Sequence, residues 1–137
     1  MMALVNRVKR RRVLVADDHA VWRREIARVL QPECEVAGYA ERGDAVLETA
    51  AGLQPDVVTL DVSLPGESGL NVLPALRAEL PDAVIVIVSA TATRLYREEA
   101  FRRGADAYIE KGRIVTDLLP AVVAGRRERR HRTAGLG

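Results

Sequence analysis

The chain has 137 residues, 48% of them hydrophobic, one cysteine and a formal net charge of +2. That is enough apolar material for one self-supporting core, and a lone Cys34 excludes an intramolecular disulfide framework, leaving a reducing compartment as the simplest context. The longest purely apolar run, Ala83–Val88, falls far short of the roughly 20 residues that span a bilayer, and basic residues interrupt the N-terminus too early for a signal-peptide core, so a cytoplasmic protein without membrane contact is expected.

Charge is segregated along the chain. Five basic residues lie between Arg7 and Arg12 and five more between Arg126 and Arg132; setting these and Glu128 aside leaves 11 basic against 18 acidic residues, an acidic body between basic ends. The ends read as solvated tails, 1–12 and 126–137, around a single domain at 13–125. Neither tail has an aromatic residue to stack on bases, so they are weak support for nucleic-acid contact.

The first apolar run, Val13–Ala16, is strand-sized, and Val21, Ile26, Val29 and Leu30 behind it form a helical stripe. Val36–Ala40 predicts a second strand and Gly43–Gly52 a second helix. Val57–Leu60 predicts a third strand; Leu70, Leu73, Leu76 and Leu80 then make a stripe with Ser68 as N-cap and Pro81 closing the segment. Val84–Val88 is followed by a helix over Thr93–Arg103, with Gly104 as its C′ residue. Ala107–Ile109 is the last strand, and Ile114, Leu118, Leu119, Val122 and Val123 make the last stripe, running toward Gly125.

Three of these strands are apolar without alternation and rich in Val and Ile, as strands covered on both faces are. Five strands alternating with five helices predict a doubly wound α/β fold, (βα)5, with a parallel sheet and its ligands at the carboxyl ends of the strands. Polar groups collect at those ends: Asp17 and Asp18 after the first strand, Asp61 after the third, Ser89 after the fourth and Lys111 after the fifth. Any one of them alone is an ordinary cap or surface group; the case rests on the set.

Three carboxylates gathered at neutral pH repel one another unless some protonate or a cation joins them, and Mg²⁺, which takes oxygen ligands, answers best. No thiolate or multi-histidine spacing suggests zinc, and His19 reads as an exposed residue opening a helix, outside the metal site. A solvent-facing carboxylate beside the metal can act as a nucleophile and form an aspartyl phosphate, with a hydroxyl and an ammonium stabilising the phosphoryl oxygens. Ser89 and Lys111 supply these two groups. The chain has 19 arginines and only two lysines, Lys9 and Lys111, so a compact point charge is specifically wanted at 111.

Taken together, Val-Leu-Val-Ala-Asp17-Asp18-His19, Asp61-Val-Ser-Leu-Pro65-Gly66-Glu-Ser-Gly69-Leu, Val-Ser89-Ala90 and Gly104-Ala-Asp-Ala-Tyr108-Ile-Glu-Lys111 resemble the response-regulator receiver family of two-component signalling, over roughly 13 to 125. The resemblance implies a flavodoxin-like strand order 2-1-3-4-5. It implies that Asp61 accepts a phosphoryl group from a histidine kinase or phosphotransfer protein, and that Asp17, Asp18, Asp61 and the Ser63 carbonyl serve Mg²⁺. It further implies that Ser89 and Lys111 contact the phosphoryl oxygens, and that Ser89 and Tyr108 form the switch pair. Such a domain is a phosphoacceptor that assists its own phosphorylation and dephosphorylation, not an enzyme acting on an outside substrate.

Asp17-Asp18-His19 with Lys111-Gly112 looks like the receivers that precede LuxR-like helix-turn-helix domains; many other receivers have proline where Gly112 stands. Transcription regulation is therefore expected, with DNA reached only through an output domain outside this chain, and a homodimer is compatible with the reading. Two alternatives compete. An aspartate-nucleophile phosphatase commonly carries an acid two residues after its nucleophile, where this chain has Ser63. A phosphate-independent receiver-like scaffold has no need of the intact acidic set. Trp22, four residues after Asp18, is expected to report metal or phosphate-analogue binding by its fluorescence.

Overall fold

The computed structural model describes residues 10–91 and 93–136. Five strands, β1 (Arg11–Ala16), β2 (Cys34–Ala40), β3 (Val57–Asp61), β4 (Val84–Ser89) and β5 (Ala107–Glu110), pair in parallel in the order β2-β1-β3-β4-β5. The helices between and after them are α1 (Ala20–Leu30), α2 (Gly43–Leu53), α3 (Gly69–Glu79), α4 (Arg94–Arg102) and α5 (Ile114–Leu136), with a single 3₁₀ turn at Lys111–Arg113 joining β5 to α5. This is the doubly wound five-stranded arrangement that the alternation of apolar runs and stripes predicts.

Each face of the sheet builds its own core. Val58 and Leu60 of β3 and Ile85 and Ile87 of β4 pack with Val46 and Ala50 of α2 and Leu70, Leu73 and Leu76 of α3. Val13 and Val15 of β1 and Val86 and Val88 of β4 pack instead with Ile26 and Leu30 of α1 and Ile114, Leu118 and Val122 of α5. Because successive strand residues point to opposite faces and both faces are covered, β4 is apolar at every position before Ser89, and β3 at all but Thr59 and Asp61.

The predicted cap at Ser68 and C′ glycine at Gly104 hold, and Thr93, read as the first helical residue, is the N-cap of α4. Ser68 caps α3, its hydroxyl accepting from the Leu70 amide at 3.2 Å, and Thr93 caps α4 through the Tyr96 amide at 3.2 Å. Gly104 follows α4 with φ at +116°, a conformation that side-chain-bearing residues rarely adopt. Pro74 sits inside α3, where its missing N–H leaves the Leu70 carbonyl without its usual intrahelical donor. Arg103, just past α4, supplies the replacement, its Nη1 donating to that carbonyl at 2.8 Å.

At the basic ends the structure departs from the expectation of solvated tails. β1 starts at Arg11, and Arg12 donates from its guanidinium to the Leu53 carbonyl at 2.7 Å; residues 1–9 lie outside the described residues. At the other end α5 runs through Gly125 to Leu136, since Arg, Glu and Ala are strong helix formers. It is anchored there too: Arg129 grips Asp106 with two hydrogen bonds of 2.7 and 2.9 Å. Arg77 of α3 takes the other carboxylate oxygen at 2.7 Å, which also accepts the Ile85 amide at 2.9 Å, so a buried aspartate ties α3, β4 and α5 together.

Candidate functional site

The carboxyl edge of the sheet gathers Asp17, Asp18, Asp61 and Lys111. Asp17 continues the β1 ladder by donating its amide to the Ala40 carbonyl at 3.0 Å, which fixes where its side chain starts; the residue is only 1% exposed. Its Oδ1 accepts the His19 amide at 2.9 Å, an Asx-type turn that swings the chain into α1. Asp61 ends β3, and its Oδ1 accepts the Ser63 amide at 3.0 Å. Lys111 begins the 3₁₀ turn and is 6% exposed, with its Nζ 2.8 Å from Asp17 Oδ2 and 2.9 Å from Asp61 Oδ2. One ammonium thus bridges two buried carboxylates.

The electrostatics follow from that burial. Desolvation pushes the Asp61 carboxyl above the usual carboxylate range, and the Lys111 ammonium and Ser63 amide oppose the rise without cancelling it. Burial disfavours the Lys111 ammonium, but the adjacent carboxylates of Asp17 and Asp61 together outweigh it, so Lys111 titrates above an ordinary lysine. The indole of Trp22 covers the same ammonium, its ring centre 5.1 Å from Nζ.

Ser89 closes β4, buried, with its hydroxyl accepting the Thr91 amide at 3.1 Å. The carbonyl of that same Thr91 accepts from the Tyr108 hydroxyl. Ser89 and Tyr108 are therefore joined through the peptide groups of one residue, and Tyr108 is buried with the Arg97 guanidinium 5.3 Å from its ring centre. The Thr91 peptide link, the Arg97 contact and the stacking role of Trp22 are additions to the sequence reading. Trp22 had a legible signal in its place four residues after Asp18, in the first turn of α1; the Arg97 contact and the Thr91 link had none short of the packed structure.

The donor set suits a hard dication. Oxygens of Asp17, Asp18 and Asp61 converge, and with a His19 nitrogen the four ligand atoms lie within 4.8 Å of one another. Asp17 Oδ2 and Asp18 Oδ1 are buried and complete no hydrogen bond, the first despite its ion-pair distance to Lys111. Acidic oxygens so placed are costly unless a cation balances them.

An order 2-1-3-4-5 parallel sheet with an acidic pair, a central aspartate and a lysine at its carboxyl edge defines a receiver-type α/β domain. The chain belongs to the response regulator receiver domain family, whose model matches residues 13–123, and is thereby a receiver of two-component systems. It is 34% identical over 112 residues to the nitrate/nitrite response regulator protein NarL of Escherichia coli, covering 80% of this chain and 52% of that one. It is 51% identical over 83 residues to a protein-glutamate methylesterase/protein-glutamine glutaminase of Moorella thermoacetica, covering 59% of this chain and 20% of the relative. Among solved structures it resembles a response regulator protein from Burkholderia pseudomallei with a phosphorylated aspartic acid, calcium ion and citrate (TM-score 0.76, 29% identity, covering 90% of this chain and 73% of that one). The chain spans about half or less of the length of these two sequence relatives. No described helix is long and apolar enough to cross a membrane.

Proposed function

We propose that this receiver is a switch thrown by transfer of a phosphoryl group to Asp61 from a histidine kinase or phosphotransfer protein. The observation that carries the reading is Lys111, whose ammonium lies between Asp17 at 2.8 Å and Asp61 at 2.9 Å beside buried carboxylate oxygens that lack donors. A carboxylate oxygen of Asp61 attacks phosphorus as the bond from phosphorus to the donor's imidazole nitrogen breaks, and the imidazole leaves neutral once the departing nitrogen is protonated. Asp17, Asp18, Asp61 and the Ser63 carbonyl would hold Mg²⁺, which offsets the negative charge gathered on the acidic residues and the phosphoryl oxygens.

Lys111 exchanges its hydrogen bond to Asp61 for one to a phosphoryl oxygen, and the Ser89 hydroxyl leaves the Thr91 amide to donate to another. That move disturbs the Thr91 peptide, on which the Tyr108 hydroxyl rests, and so carries the chemical event to the α4–β5 surface. The Burkholderia pseudomallei relative, with its phosphorylated aspartic acid and calcium ion, supports the same chemistry here. The downstream effect runs through an output module; the likeness of Asp17-Asp18-His19 and Lys111-Gly112 to receivers that precede LuxR-like helix-turn-helix domains favours transcriptional control by a DNA-binding domain in a cytoplasmic regulator.

Incubation with acetyl phosphate and Mg²⁺, followed by intact-mass measurement, tests the assignment. One hydroxylamine-sensitive phosphoryl group is expected on the native chain and none on Asp61→Asn. A phosphorylated Asp61→Asn protein would overturn it.

A further inference from the structure

His19 stands at the N-cap of α1, yet its side chain makes no capping hydrogen bond. The imidazole turns back over the acidic pair, with Nδ1 3.1 Å from Asp18 Oδ1 and 3.5 Å from Asp17 Oδ1. Asp18 Oδ1 is buried and completes no hydrogen bond even so, which means the short distance to His19 lacks the alignment of a donor and an acceptor. Two atoms bearing lone pairs face one region from adjacent residues.

That spacing has a second meaning in coordination chemistry. Two ligands each about 2.1 Å from one metal ion are separated by about 3.0 Å at right angles and about 3.4 Å at the tetrahedral angle. Both His19 distances fall near those values. On the carboxylate side Asp17, 1% exposed, already faces the Lys111 ammonium at 2.8 Å through Oδ2, whereas the buried Asp18 Oδ1 beside His19 has no donor. His19 is itself 65% exposed in its side chain, so it can adjust to an incoming ion without disturbing the core.

We infer that His19 is a nitrogen ligand at the acidic site and makes it bind the later first-row dications, Ni²⁺, Cu²⁺ or Zn²⁺, more tightly than oxygen donors alone would. Imidazole suits these ions, whereas Mg²⁺ keeps oxygen ligands and water, so the added donor strengthens one class and leaves the other nearly unchanged. The inference rests on the acidic site proposed above, and extends it by one residue and one class of ion.

Titration calorimetry with Mg²⁺ and with Ni²⁺ on the full chain separates the possibilities. His131, the other histidine of the chain, is replaced by alanine in every protein so that it adds no competing site. In that background His19→Ala is expected to weaken Ni²⁺ binding by about tenfold or more while Mg²⁺ affinity stays within about twofold. Cu²⁺ electron paramagnetic resonance adds a direct readout, since the nitrogen hyperfine coupling of an imidazole ligand is expected with His19 and lost without it. Unchanged Ni²⁺ affinity and Cu²⁺ spectra in His19→Ala would overturn the inference; so would an equal loss for both ions, because His19 would then be acting through the carboxylates. Failure of either protein to bind Mg²⁺ would count against the acidic site itself, with the Ni²⁺ comparison still deciding His19.

Discussion

Lys111 Nζ lies 2.9 Å from Asp61 Oδ2 although β4 separates their strands in the sheet. The contact therefore spans the carboxyl edge and ends beside Asp17 on β1 as well. A buried carboxyl held above its ordinary titration range makes the folded state bind its proton more tightly than the unfolded chain does, so stability falls as pH rises through the folded value. In EDTA, Asp61→Asn is expected to be more stable than the native chain at neutral pH, with Lys111 still paired to Asp17. The difference should close as pH drops below the ordinary aspartate value of about 3.9. Urea denaturation across this pH range checks it; a less stable Asp61→Asn at neutral pH would refute the argument.

Asp106 is gripped by Arg77 and Arg129 and also accepts the Ile85 amide. Removing that carboxylate leaves both guanidinium groups without their shared counter-charge in a largely buried place. Asp106→Ala is expected to cost about 3 kcal/mol, and hydrogen exchange should quicken in α5 beyond Gly125 before it does in β4. A loss of stability below about 0.5 kcal/mol would show that the cluster is only a surface ion pair.

Thr59 lies in the middle of β3, and its Oγ1 is buried with no hydrogen-bond partner. The hydroxyl's desolvation is uncompensated, and valine has nearly the same shape. Thr59→Val is expected to stabilise the chain by about 1 kcal/mol in denaturation experiments and to leave phosphorylation unaltered. Destabilisation would mean the hydroxyl has a role the core packing does not reveal.

Trp22 is the single tryptophan, and its ring covers the Lys111 ammonium with a centre-to-nitrogen distance of 5.1 Å. A ligand that draws Lys111 toward a phosphoryl-like group changes the field at the indole. Emission is expected to shift in intensity on adding Mg²⁺ with beryllofluoride, and Lys111→Met should remove most of that change. Constant emission while calorimetry records binding would exclude Trp22 as the reporter.

Much of this was legible from local pattern. Val84–Val88 is apolar at successive positions, and Val57–Leu60 at all but Thr59, because their strands are covered on both faces, and a run of that kind announces a central parallel strand. Ser68, Thr93 and Gly104 mark helix ends through interactions that reach only a few residues along the chain. Arg129 departs from the reading of a solvated charge run for a related reason: such runs are usually solvated, and nothing local to Arg129 signals that Asp106 waits for it.

By itself, then, the amino-acid order determined the alternation of strands and helices and the presence of Asp17, Asp18, Asp61, Ser89 and Lys111 at strand ends, because hydrophobic period and capping chemistry act over a few residues. Tertiary structure alone decided that Lys111 bridges Asp17 and Asp61, that Thr91 links Ser89 to Tyr108, and that the His19 imidazole turns toward the carboxylates. Period reports which apolar face is buried, but where a polar side chain at a strand end points, and which polar group from another strand or loop it meets, depends on the packed edge of the sheet.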